Sequence, residues 1–125
     1  MKTAAYSVIS GFIALLLVSG AIAHHGWNWA EDDQTEMTGT ITDIYIGPPH
    51  PRLMIDTEDG PWQVDLGNPN QTRNAGFVEG SASVGDTVLV RGHRSTNGDE
   101  KLIKAVRATI DDQQYDFYPD LIRED

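Results

Sequence analysis

Between Met37 and Phe117 the chain reads as a fixed succession of short β segments, and one helix-start signal falls inside it. "MTGTITDIYI" (Met37–Ile46) alternates and is rich in β-branched residues. "RLMIDTE" (Arg52–Glu58) follows a Gly-Pro-Pro-His-Pro break, and Asp59-Gly60 is a turn signal leading into "PWQVDL" (Pro61–Leu66). Asn68 before Pro69 then predicts an N-cap and a first helical residue, with Gly76 ending a helix of two turns. "VGDTVLVRGHR" (Val84–Arg94) is a turn entering a fourth strand, and "LIKAVRATI" (Leu102–Ile110) is a fifth. "QYDFYP" (Gln114–Pro119) gives a final short strand, with Tyr115, Phe117 and Tyr118 expected to close the barrel as its edge.

Three strands, a helix and two more strands are the order of the oligonucleotide/oligosaccharide-binding (OB) fold, a small Greek-key barrel. The expected fold class is therefore all-β, a five- to six-stranded OB-like barrel with one short helix. A β-sandwich is the alternative with a similar strand count. The alternating positions nominate Ile41, Ile55, Val64, Leu66, Val88, Val90, Val106 and Ile110 as core, and Trp62 joins them.

What precedes the strands has a different character. Met1 and Lys2 give a positive start, Val8 to Val18 is apolar apart from Ser10 and Gly11, and Ala21-Ile22-Ala23 fits the small-x-small rule of signal peptidase. The apolar core is short for a membrane span of about 20 residues. The expectation is a signal peptide over 1–23, a barrel domain over 24–119 and a loose charged tail over 120–125, in a periplasmic or secreted protein with no membrane attachment after cleavage. Retention of the leader as an anchor is the alternative. The chain has no cysteine, so neither a disulfide nor a lipid on a cleavage-site cysteine is available. The formal net charge is −10, which disfavours nucleic acid and anionic lipid as partners.

Cleavage after Ala23 would change the chemistry of the residue behind it. His24 would gain a free α-amine, and amine and ring Nδ1 would chelate one metal ion. An imidazole from the body, His50 in "GPPHPR" or His93 in "RGHRS", would complete a T-shaped nitrogen set, with His25 as an additional or competing ligand. Copper prefers such sites and stands at the top of the divalent affinity order. Amine and imidazole both lose their protons near neutral pH. The arrangement resembles the histidine brace of exported copper proteins. In the OB topology the loops after strands one and four lie at one end, which would put His50 near His93. Plainer roles stand beside these: His24 and His25 as terminal residues, His50 as a loop residue packed on its prolines, His93 as a strand-end histidine bonded to backbone. Trp27 and Trp29 would cover a site or pin the N-terminal segment to the barrel.

The acidic groups at 31–33, 56–59 and 111–112 lack the spacing of a calcium loop. Nucleophile-elbow, phosphate-loop and HExxH motifs are missing, so no enzymatic activity is expected.

The combination "HHGWNW", "GTI", "PPHPRLMID", "WQVDLGNPN", "GDTVLVRGHRS" and "YDFYP" resembles a widespread family of small exported bacterial proteins, known as a domain of unknown function. Its members share a signal peptide ending in Ala, a His-His start, an Asn-Pro-His or similar loop and a late Gly-Asp strand. Here Pro48 stands where the family usually has Asn, and His50 is kept. The resemblance implies export and carries no settled activity. Two expectations follow: a copper-binding protein of trafficking, storage or tolerance, or a metal-free module for a small ligand or partner protein. A brace-type copper oxidase acting on a polymer is a third. It is disfavoured by the small flat surface of so short a domain.

Overall fold

The computed structural model describes residues 27–124. The expected order is present: β1 (Thr35–Tyr45), β2 (Arg52–Thr57), β3 (Gly60–Asp65), α1 (Pro69–Asn74), β4 (Thr87–Arg94), β5 (Leu102–Ile110), β6 (Gln113–Asp116) and a 3-10 turn (Pro119–Leu121). β1 is long because it serves two neighbours. Its first half pairs antiparallel with β4, Thr35 opposite Gly92, and its second half with β2, Tyr45 opposite Arg52. A register shift between Ile41 and Asp43 marks where the strand passes from one partner to the other. β3 pairs with β2 and also, in parallel, with β5, Gln63 to Asp65 lying beside Leu102 to Lys104.

That parallel pairing closes a five-stranded barrel of OB-like topology, and closure rules out the sandwich. Residues 115–118 do not close the barrel, contrary to expectation. β6 is an extra strand on the far half of β5, and Tyr118 lies beyond its end.

The interior follows the period-2 pattern. Ile41, Ile55, Val64, Leu66, Val88, Val90, Val106 and Ile110 are all buried. Val106 is buried for a different reason from the rest. β5 carries a bulge there, Arg91 lying opposite Arg107 and Gly92 opposite Ala105, so Val106 drops out of the alternation and out of the central cluster. Its carbonyl accepts the amides of Phe117 and Tyr118. Phe117 and Tyr115 both set their edges against Phe77 in the core.

α1 starts as read. The Asn68 side chain accepts the Gln71 amide at 2.8 Å, and the Gln71 side chain accepts the Asn68 amide at 3.1 Å, a complete capping box. Asp111 and Asp112, noted in the sequence as an acidic pair, form the two-residue turn between β5 and β6 with φ of 52° and 65°.

Residues 123 and 124 of the charged tail make contacts with the body of the chain. The Arg123 amide donates to the Gln34 side chain, the Arg123 guanidinium to the Asp32 carbonyl, and Glu124 pairs with Arg107.

Candidate functional site on the outer face of β4 and β5

Residues 27–34 run across the outside of the barrel along the end of β4. The Glu31 amide donates to the Arg94 carbonyl at 2.7 Å, the Thr96 amide to the Trp29 carbonyl at 2.8 Å, and Ala30 bridges to Ser95. His93 follows Gly92, whose position faces the interior, so its own side chain leaves the outer face. It is nonetheless only 6% exposed, because the N-terminal segment covers it.

His93 Nδ1 lies 2.8 Å from the Glu31 carbonyl. A carbonyl oxygen only accepts, so Nδ1 carries the hydrogen. In the neutral ring Nε2 is then the lone-pair nitrogen, the state of a histidine ligand whose other nitrogen is oriented by backbone. The backbone bond expected of a strand-end histidine and the availability of a ligand nitrogen are thus two sides of one arrangement.

Trp27 sets its edge against the His93 ring, centroids 5.3 Å apart, and against Tyr118 at 5.0 Å. Lys104, opposite His93 in the β4–β5 ladder, brings Nζ to 5.6 Å from the Trp27 ring centre and 5.2 Å from that of Tyr118. The ammonium also donates to the Leu66 carbonyl at 2.8 Å. Burial lowers the Lys104 pKa, partly offset by the charge of Asp65. Burial raises that of Tyr118, and Asp65 adds to the effect. Trp27 therefore has the pinning role. A cleft of about 430 Å³ opens beside this cluster, lined in part by Trp27, Glu31, Asp32, Gln34, His93 and Arg123.

His24 and His25 lie outside the described residues. His50 is exposed in the β1–β2 loop. The ladder row from His93 runs through Lys104 and Asp65 to Arg52, three strand spacings, about 14 Å along the sheet at the usual ~4.8 Å each. His50 sits two residues beyond Arg52, and no hydrogen bond or ring contact joins it to His93 among the described residues. Nor do these residues contain a group of three or more His, Cys, Asp or Glu placed to hold a metal. Lys104 and Asp65 were not singled out from sequence, and Tyr118 was read only as part of a closing edge strand. The outward position of Lys104 directly across from His93 was the available signal, and it required the register of β4 on β5.

A small OB-like barrel with a covered histidine on its outer face is thus the class of molecule. The chain belongs to the family of unknown function DUF6152, whose profile matches residues 14–104. No curated protein matches it. Among solved structures it is similar to the ZRD-deleted mutant of TiaS in complex with agmatine (23% identity, TM-score 0.47, 62% of this chain and 21% of that one). It is also similar to TiaS in complex with a tRNA and ATP (25% identity, TM-score 0.48, 62% and 18%). A tRNA fluorescent labeling enzyme is comparable (24% identity, TM-score 0.47, 62% and 17%). The chain spans about a fifth of the length of these proteins. Among the described residues no helix is long and apolar enough to cross a membrane.

Proposed function

We propose that the protein is exported to the periplasm or beyond, is cut between Ala23 and His24, and binds one copper ion without catalysing a reaction. The ligands are the His24 amine, the His24 ring and His93 Nε2. One observation carries this reading: the His93 ring is oriented through Nδ1 by the Glu31 carbonyl and lies directly against Trp27. His24 is three residues before Trp27, and three residues of chain span at most about 11 Å. A cut after Ala23 would therefore leave the new amine tethered within reach of Nε2. Ring and amine on one residue chelate at high effective concentration, and a body histidine already held by the fold adds the third nitrogen at small entropic cost. His50 has no hydrogen bond or ring contact to His93 among the described residues, so His93 is the body ligand of this proposal, and His25 competes with His24. A carrier, store or tolerance protein is the function such a site serves.

Mass spectrometry of the exported protein should show residue 24 first. Copper titration should then give one tight Cu²⁺ site. Acetylating the His24 amine turns it into an amide without supplying a new free amine, and should weaken binding by ~10²-fold or more while the fold is kept. His93→Ala should produce a comparable loss, and His50→Ala little change. Equal affinity of the native and acetylated forms would remove the brace, and no tight binding in either would leave the metal-free binding module.

A further inference from the structure

The end of the barrel below the β2–β3 turn holds a second feature, and it involves no metal. Trp62, Lys101 and Arg94 come together there by register. Gln63 lies beside Leu102 and Arg94 opposite Ile103, so Trp62, Lys101 and Arg94 all fall on interior-facing positions at one mouth of the barrel. The Arg94 guanidinium carbon is 5.2 Å from the Trp62 ring centre, and Lys101 Nζ is 5.5 Å from it. In a chain of net charge −10, neither cation forms an ion pair among the described residues.

Arg94 is held in an unusual way. Its Nε is buried and has no hydrogen-bond partner among the described residues. The other such buried side-chain atom is Thr35 Oγ1, on an interior-facing position of the neighbouring strand at the same mouth. The two terminal nitrogens of Arg94 also make no hydrogen bond to a described residue, yet they escape the buried set, so they meet solvent. They do so in a cleft of about 400 Å³ that Arg94 lines with Met37, Trp62, Leu89, Glu58 and Asp59. Glu36 shares the cleft but is engaged elsewhere, 2.9 Å from Arg91.

We propose that this cleft binds a small organic monocarboxylate, its carboxylate taken end-on by the two terminal nitrogens of Arg94 and its apolar body laid against Trp62, Met37 and Leu89. The cation–π contact with Trp62 and the burial of Nε restrict the guanidinium before the ligand arrives, so less freedom is lost on binding. The planar fork matches a carboxylate. Lys101 adds positive potential from the other side of the mouth. The acidic rim of Glu36, Glu58 and Asp59 sets the class. It repels multiply charged anions such as phosphate and tolerates a single negative charge neutralised by Arg94.

Phenylacetate and inorganic phosphate are suitable probes on the folded protein without copper, read by NMR at the Arg94 Nε–H and the Trp62 indole N–H. Phenylacetate should give saturable shifts at both groups, and phosphate none. Arg94→Lys keeps the charge and lacks the fork, and it should weaken phenylacetate by ~10-fold or more with an unchanged melting temperature. Arg94→Gln should abolish binding. Unchanged affinity in Arg94→Lys, absence of saturable shifts in the native protein, or phosphate binding as well as phenylacetate would each overturn the proposal. Because copper is left out, none of these results depends on the His24–His93 site.

Discussion

Lys104 holds its charge between two aromatic rings and a carbonyl, and this has a consequence for stability at alkaline pH. Its folded-state pKa is lowered by burial, so the unfolded chain binds the extra proton in the interval up to the ordinary 10.5. Stability therefore gains as pH rises through that interval. Tyr118 acts the other way. Its pKa is raised above 10.0, the unfolded chain loses the phenolic proton first, and stability falls with pH above that value. Denaturant titrations at a series of pH values should separate the two. Lys104→Met should lack the rise that the native protein shows toward pH 10.5, and Tyr118→Phe should lack the fall above pH 10.0. Equal pH slopes in all three proteins would mean that neither group is desolvated in the folded protein. The legibility of single residues was uneven. His93 could be read as a strand-end histidine with a backbone partner, because the strand that carries it was clear. Lys104 sat in an ordinary alternating strand, and the contacts that surround its ammonium, Trp27, Tyr118 and the Leu66 carbonyl, come from other parts of the chain.

At the level of elements, sequence reading succeeded where local chemistry decides. The capping box of α1 and the alternation of β3 and β5 are properties of a few adjacent residues. It failed where two strands must negotiate. Beside the bulge at Val106, Gly92 and β5 approach closely: a Cβ on Gly92 would lie 2.2 Å from the Lys104 carbonyl oxygen. Gly92→Ala must therefore push the strands apart beside His93, and a loss of roughly 2 kcal/mol or more in denaturant titration is expected. The Asp111–Asp112 turn went unrecognised because no glycine announces it. Both residues have positive φ, the pattern of the tight hairpin turns that Asn-Gly usually supplies. Asp112→Gly should stabilise the protein by about 0.5–1 kcal/mol through relief of that conformation. A drop in stability would show that the aspartate side chains contribute more than their backbone costs.

For the molecule as a whole, the barrel was predictable, and of its cover only the pinning of the N-terminal segment by Trp27 was foreseen. Strand order and a single helix between the third and fourth strands restrict the topology strongly, and β3 beside β5 completes it. Val64 lies in that closing pair, fully buried opposite Ile103. Val64→Asp should cost at least ~3 kcal/mol by placing an unpaired charge in the seam, measured as a shift in the unfolding midpoint. Preserved stability would mean that the parallel pairing is dispensable to the fold. The cover depends on contacts between residues about ninety positions apart, such as Gln34 with Arg123 and Trp27 with Tyr118, and no local pattern encodes those.

The same contacts make the barrel nearly a closed loop of chain. Its opening segment and its closing 3-10 turn lie side by side on one face, so a short flexible linker could join residue 123 to residue 27 without crossing the sheet. New ends could be opened between Glu79 and Gly80, both exposed in the loop after α1. Such a circular permutant would keep every strand pairing while removing the amine that the copper proposal places near His93, giving a folded barrel in which position in the chain, rather than any side chain, has been altered.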